Sequence, residues 1–437
     1  MGFTIAEKVL GLHVVGGRRE VRAGDYVLAK PDVILLNDVS GPLAIKQFRQ
    51  IVGDGGKVAD PSKVVFVNDH FVPPPTIEAA TNARLMRQFA GEFGIKLFDV
   101  GEGIEHTLLP EQGLVKPGYL VIGGDSHTTT YGAFNAFGSG FGATDIAVAL
   151  ALGYLWFLVP ESQRFIFEGD RPSFITGKDL ILNVIHDIGV DGATYQSMEF
   201  TGDALLKFNI DEYEHIANMA VEAGAKAGII EANEVIMRWA ESKFRGEVIN
   251  YVRADPDARY VEVHRYDITK MEPMVAKPHS PGNAVPISEV EGVHVDQVYI
   301  GNCANGTLTD LRQAAAVLRG RKVAPGVRLI VVPATRSIYE QALREGLIDI
   351  FIKAGAFVSS PTCGACAGLH LGLLADGEVA VATTNRNFRG RMGSAKAEIY
   401  LANAYVAAAA AVKGEITNPG KLISWSEVKN FVYGVRR

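Results

Sequence analysis

Tyr119-Leu-Val-Ile-Gly-Gly-Asp125-Ser-His-Thr-Thr-Thr130 joins a short apolar run to a dense polar cluster. The run Tyr119 to Ile122 has no polar alternation, as expected of a strand buried on both faces. The paired glycines let the backbone come close to a ligand. Asp125, Ser126, His127 and the threonines supply donors and acceptors, and a helix N-cap accounts for one of them but not for the set. The pattern recurs. Val64 to Val67, Val298 to Ile300 and Val327 to Val332 also read as buried strands, each followed by a loop and a helical stretch. This alternation predicts an α/β chain with largely parallel sheets. Its polar clusters follow strand ends, where such folds place their sites.

Other stretches predict further elements. Ser337-Ile-Tyr-Glu340 has the form of a capping box that starts a helix, with Gly346 near the helix end. The apolar run Ile146 to Pro160 is shorter than a membrane span and predicts a buried helix. The alanine-rich Ala397 to Val412 predicts a closely packed helix. Composition shifts after Pro160 and across Lys277 to Pro286, which reads as a linker or surface crossover. Domains are therefore expected at 1–160, 161–287 and 288–437.

Composition limits the function. Hydrophobic residues make up 48% of the 437-residue chain, ample for large cores. The net charge of −6, with both signs scattered, offers no basic footprint for nucleic acid. Three cysteines cannot form a disulfide framework and point to a reducing compartment. The N-terminus does not read as a signal peptide, so a cytoplasmic location without membrane attachment is expected.

The cysteines carry the sharpest signal: Cys363-Gly-Ala-Cys366, and Cys303 in Gly-Asn-Cys-Ala-Asn-Gly. Three thiolates can hold three corners of an iron–sulfur cube and leave the fourth iron open. An open iron binds substrate oxygen as a Lewis acid. The spacing alone leaves zinc, an iron–sulfur cluster and inert thiols all open. Asn68-Asp69-His70 follows the Val64 to Val67 run; a carboxylate beside an imidazole can hold it protonated as a general acid, although a surface turn explains the same residues. His106 alone reads as an ordinary histidine. The glycine-rich Gly138 to Asp145 is not a dinucleotide fingerprint and predicts tight turns and close helix approach. Arg386, Arg389 and Arg391 crowd one stretch, either as a solvated basic loop or as forks for small carboxylates or phosphates. Asn218 and Glu222 are spaced to share one helical face.

These residues form a set that resembles the aconitase superfamily, within it the large-subunit group of the 3-isopropylmalate dehydratase and homoaconitase type. The resemblance runs from Thr4-Ile-Ala-Glu-Lys8 to about Lys413. It rests on the Cys303 motif, Thr362-Cys-Gly-Ala-Cys366, Gly124-Asp-Ser-His-Thr128, Asp69-His70, Met219 to Lys226 and Asn385 to Arg391. It implies three α/β domains packed around an iron–sulfur cluster, without a C-terminal swivel domain. By resemblance, Cys303, Cys363 and Cys366 are the ligands of a [4Fe–4S] cluster, with Asn218, Asn305 and Asn385 near it. Asp69 and His70 protonate the departing hydroxyl, and His106, Asp125, His127 and Glu222 surround it. Ser126, Arg386 and Arg391 serve the substrate, with Arg391 the better candidate for a carboxylate. The implied reaction is reversible dehydration of a hydroxy di- or tricarboxylic acid. The catalytic base of single-chain relatives lies on the swivel domain, so a separate small subunit is the implied partner. Ala304 and Thr307 depart from the usual Cys-Thr-Asn-Gly/Ser-Arg, which leaves 3-isopropylmalate, homocitrate-type acids, methylated malates and maleate open as substrates. A non-catalytic iron–sulfur or zinc protein is the alternative class.

Overall fold

The computed structural model describes residues 2–17 and 19–434, with the Ala304 side chain outside that description. The chain divides into two compact units. The first is Met1–Val100, Leu109–Gly169 and Asp191–Asp267; the second is Gly101–Leu108, Asp170–Val190 and Ile268–Arg437.

The first unit is built on a five-stranded sheet in the order Lys96–Phe98, Val64–Val67, Val33–Asn37, Leu120–Gly123, Phe137–Gly140. Every neighbouring pair is parallel. Its three inner strands are buried along their whole length, which is why they read as unbroken apolar runs. Helices Gly41–Val52, Ile77–Phe93 and Ala143–Leu152 contribute to the core. Phe89 stands edge-on to Phe48 at 5.4 Å and stacks on Phe66 at 5.9 Å. A second, four-stranded parallel sheet runs Ala227–Ile230, Ser197–Thr201, Ser162–Glu168, Val263–Asp267.

The second unit holds a seven-stranded sheet. Its parallel part runs Glu398–Leu401, Val379–Ala382, Gln297–Gly301, Arg328–Val332, Phe357–Val358. Met274–Ala276 and Ala284–Pro286 extend it as antiparallel edge strands. Asp179 ties this unit together: its buried carboxylate accepts from the backbone of Thr176 at 2.7 Å and Met274 at 2.8 Å, and from Asn403 Nδ2 at 2.9 Å. Burial pushes its pKa up, and these donors offset that cost.

Four expectations are corrected. Ile146 to Pro160 is not one helix: Ala143–Leu152 ends at Gly153 in the left-handed region, and Leu155–Leu158 is an edge strand with Trp156 exposed. Ala397 to Val412 is the strand Glu398–Leu401 followed by the helix Ala404–Lys413, which Asn403 caps. The helix expected from Ser337 starts earlier, as Arg336–Arg344, because the Thr335 hydroxyl accepts from Ile338 N. Lys277 to Pro286 is only partly a crossover, since Ala284–Pro286 pairs into the sheet edge. Among the described residues no helix is long and apolar enough to cross a membrane.

The strand Phe137–Gly140 packs against the turn that follows Leu120–Gly123. A methyl group on Gly138 would lie 2.2 Å from the Thr128 carbonyl oxygen, and one on Gly140 would lie 2.6 Å from that of Asp125. Gly138→Ala is expected to destabilise the chain by about 1–3 kcal/mol, as overpacking does. A urea midpoint unchanged from wild type would show that the turn can yield.

Candidate active site

The turn after Val64–Val67 is fixed from below by Asp38, which leaves the end of the neighbouring strand Val33–Asn37. The buried Asp38 carboxylate accepts three backbone N–H bonds, from Asp69 at 3.1 Å, His70 at 2.9 Å and Phe71 at 2.7 Å. Asn68 donates to Asp99 at 3.0 Å, and the Arg87 guanidinium on Asp99 holds that carboxyl down near about 2. The turn therefore presents Asp69 and His70 in one geometry, with Asp69 Oδ1 2.7 Å from His70 Nδ1. His70 Nε2 lies 3.4 Å from Asp125 Oδ2.

Asp125 starts a second turn by accepting from His127 N at 2.7 Å, as the N-cap of the short helix Ser126–Phe134. Its Oδ1 lies 3.5 Å from His127 Nδ1, and His127 Nε2 meets Glu222 Oε1 at 2.9 Å. Asp69, His70, Asp125, His127 and Glu222 thus form one continuous chain of acids and imidazoles within the first unit. All of them except Asp125 are buried. Asn218 and Glu222 do not share a regular helical face. The α-helix ends at Asn218, and Glu222 sits on the tighter turn Met219–Ala223. Asn218 Nδ2 donates to Thr130 Oγ1 at 2.8 Å, and Thr129 Oγ1 donates to Asn218 O at 3.1 Å.

The second unit gathers the three cysteines, all buried and none in a disulfide. Cys303 follows Gln297–Gly301, and Cys363 and Cys366 flank Gly364 at φ +54°. A side chain at Gly364 would be strained in that region and would crowd Tyr299 Oη at 3.2 Å. Asn302, at φ +83°, links the two motifs. Its Oδ1 accepts from Cys303 N at 2.6 Å, and its Nδ2 donates to Cys363 O at 2.8 Å and reaches Cys363 Sγ at 3.8 Å. Asn385 Nδ2 donates to Cys303 Sγ at 3.3 Å. The Tyr299 phenol is pushed well above its ordinary range by burial, and then by the negative charge of Cys366, Cys363 and Cys303. One hydroxyl therefore senses all three sulfurs.

The loop bearing Asn385 is held by Lys178, whose buried ammonium donates to Thr383 O at 3.1 Å and Thr384 O at 2.6 Å. His106 belongs to this unit too. It is buried, with Nε2 3.6 Å from Glu105 Oε1, and the next residue, Thr107, donates to Cys303 O at 3.1 Å. Asn305 donates to Asp310 at 3.2 Å. Thr307 closes a capping box with Asp310 at the start of Leu308–Leu318. Arg386 is half-buried and Arg389 exposed. Arg391 Nε is buried and has no hydrogen-bond partner among the described residues.

The cysteines fit an iron–sulfur centre. They are buried, unpaired by disulfides, and two of the sulfurs face side-chain amide donors of the kind that support metal-bound thiolates. The model of the aconitase family (aconitate hydratase) matches residues 7–414. The chain belongs to the aconitase family. It is a hydro-lyase with the aconitase-type α/β fold, and enzymes of this family carry an iron–sulfur cluster. It is 51% identical over 426 residues to the 3-isopropylmalate dehydratase large subunit 1 of Pyrococcus furiosus, covering 97% of this chain and 99% of that one. It is 51% identical to the 3-isopropylmalate dehydratase large subunit of Heliobacterium modesticaldum, over 96% of this chain and 99% of that one. For the subunit of the same name from Syntrophus aciditrophicus the identity is 52%, over 97% and 100%.

Asp38, Asn302 and Lys178 went unread in the sequence. Asn37-Asp38 does stand directly after an apolar run, and Asn302 directly before a cysteine. Asp38→Ala strips a buried turn of three acceptor contacts, and each buried donor left unpaired costs about 1–3 kcal/mol. Turnover is expected to fall at least about tenfold, a loss near 1.4 kcal/mol in the transition state. The His70 imidazole signals should shift in NMR, and the sulfur content of the loaded protein should not change. Wild-type turnover in the variant would remove Asp38 from its role.

Proposed function

We propose that the chain is the large subunit of a [4Fe–4S] 3-isopropylmalate dehydratase, which interconverts hydroxy-acid isomers by loss and return of water together with a small swivel-domain subunit. The observation that carries this reading is the set of three buried thiols, two of them faced by amide donors, in a chain with no further cysteine. Near-full-length identity to large subunits of that name supports the substrate.

Cys303, Cys363 and Cys366 would hold the cluster, with Asn385 and Asn302 donating toward sulfur and Asn305 bracing the first motif. When bound, the cluster supplies a Lewis-acidic iron with an open position. His70 is the proton donor to the departing hydroxyl. Asp69 on Nδ1 fixes its tautomer and ring plane and leaves Nε2 for transfer. Asp125, His127 and Glu222 share and store the proton, His106 serves the departing hydroxyl, and Asn218 supports the cluster. Ser126 binds substrate through its hydroxyl. Arg391 takes a substrate carboxylate, a role that suits a guanidinium whose buried Nε has no acceptor among the described residues, and Arg386 supports the site. The proton on the neighbouring carbon goes to a base on the small subunit. Hydroxyl and the His70 proton leave as water, so the step balances without an oxidant. A cytoplasmic location fits a biosynthetic role in leucine formation.

Anaerobic reconstitution tests the cofactor and the partner together. Each of Cys303→Ser, Cys363→Ser and Cys366→Ser is expected to lose the cluster absorbance and most of the iron and sulfide. The wild-type chain is expected to gain 3-isopropylmalate dehydration only when the small subunit is added. Stoichiometric zinc without sulfide, or full turnover by the isolated chain, would overturn the assignment.

Arg391→Lys keeps the charge but loses the planar fork. With a buried charge-assisted pair worth about 2–5 kcal/mol, kcat/KM is expected to fall more than tenfold while cluster content is retained. His70→Ala should instead lower kcat with KM nearly unchanged. Steady-state kinetics on both variants would separate binding from proton transfer, and wild-type constants for Arg391→Lys would place that arginine outside the site.

A further inference from the structure

None of the roles above uses the glycine-rich stretch Gly138–Asp145 or Lys226, yet Ser139–Gly142 and Lys226 line one cavity of the first unit. The cavity measures about 280 Å³, and its walls include Ser126, Thr129, Ser139, Phe141, Gly142 and Lys226. Lys226 lies mostly inside the protein. Its ammonium donates to Gly140 O at 3.1 Å and sits 3.6 Å from the centre of the Phe141 ring. No carboxylate of the described residues comes within 4.0 Å of it, and Asp145 acts on it only from farther away. Burial pushes its pKa down to about 8, so the group is charged at neutral pH but poorly compensated.

Two further features converge on the same space. Ser139 is fully buried, and its hydroxyl has no hydrogen-bond partner among the described residues. Gly142 opens the ten-residue helix Ala143–Leu152 with no side-chain cap, which leaves backbone N–H groups at its first turn to be satisfied. An ammonium, a hydroxyl and a helix N-terminus around a small cavity are the recognition chemistry of an oxyanion.

We propose that this cavity is a binding site for a small oxyanion, a carboxylate or phosphate group held by Lys226, Ser139 and the N-terminus of helix Ala143–Leu152. Ser126, assigned above to the substrate, shares the cavity wall, so a substrate occupant rests on that reading while a free anion does not. Its occupant is either a carboxylate of the substrate itself or a free anion from solution. Close packing of Phe137–Gly140 on the Asp125 turn means that either occupant would press on the backbone that carries Asp125 and His127.

The test is calorimetric titration of the full-length chain with malonate and with phosphate, in an Arg391→Lys background so that the other proposed carboxylate site does not contribute. Binding of at least one anion is expected. Lys226→Met, which keeps the stem packed on Phe141, should weaken it about tenfold or more, and Ser139→Ala severalfold, while Lys226→Arg should stay close to the parent. Thermal midpoints of the variants without ligand check that they fold. In the complete enzyme, phosphate that raises KM alone identifies the site with a substrate carboxylate. Phosphate that changes kcat or stability at constant KM identifies a separate anion. Equal binding in Lys226→Met and the parent, or no binding of either anion at concentrations far above physiological ones, overturns the proposal.

Discussion

A carboxylate buried against three backbone amides is the constraint on which the first unit's polar chemistry depends. Asp38 is 2% exposed, and a buried carboxylate is tolerated only when its oxygens are met by donors. The amides of Asp69, His70 and Phe71 meet it. The backbone of the turn is thereby satisfied from one side, and the Asp69 carboxylate meets the His70 ring. From there each imidazole lies between two carboxylates: His70 between Asp69 and Asp125, and His127 between Asp125 and Glu222. Charged and ionisable groups at such distances are electrostatically coupled, so a change at one imidazole is felt along the whole chain.

The second unit solves a different problem, the burial of three thiols beside polar side chains. Side-chain amides of Asn302 and Asn385 point at sulfur, and the Lys178 ammonium is buried in the loop that carries Asn385. Hydrogen bonds to sulfur and buried positive charge both favour the anionic form of a ligand. Tyr299, pushed upward first by burial and then by the same sulfurs, stays a neutral phenol and adds no charge of its own.

Much of this was legible because the relevant signals are local. The Val64 to Val67 and Tyr119 to Ile122 runs mark strands whose ends carry Asp69-His70 and Asp125-Ser126-His127, and the Cys-x-x-Cys spacing needs only four residues to be seen. What was missed is set by register or by distance along the chain. Asp38 meets the Asp69 turn because Asn37 pairs beside Val67 in the parallel sheet, a register no single segment encodes. Lys178 finds its carbonyl acceptors more than 200 residues later. The misread helices share another cause. In Ile146 to Pro160 and Ala397 to Val412 a buried strand and a buried helix stand end to end, and continuous apolar composition hides the junction. Asn218 and Glu222 keep helical spacing in sequence while the backbone tightens between them.

The division of the chain also orders events during synthesis. The first unit ends at Asp267, so every member of the acid–imidazole chain has been translated before Cys303 is made. The second unit waits longer. Its pieces Gly101–Leu108 and Asp170–Val190 are made early, but the strand Glu398–Leu401 and the helix Ala404–Lys413 come near the end. Domains fold as units, and a nascent chain leaves the ribosome N-terminus first. The acid–imidazole chain can therefore close on the ribosome while the thiol loops are still without the sheet that buries them. On the proposed function, metal loading then becomes a late event, open to whatever machinery or oxidant meets the chain at release.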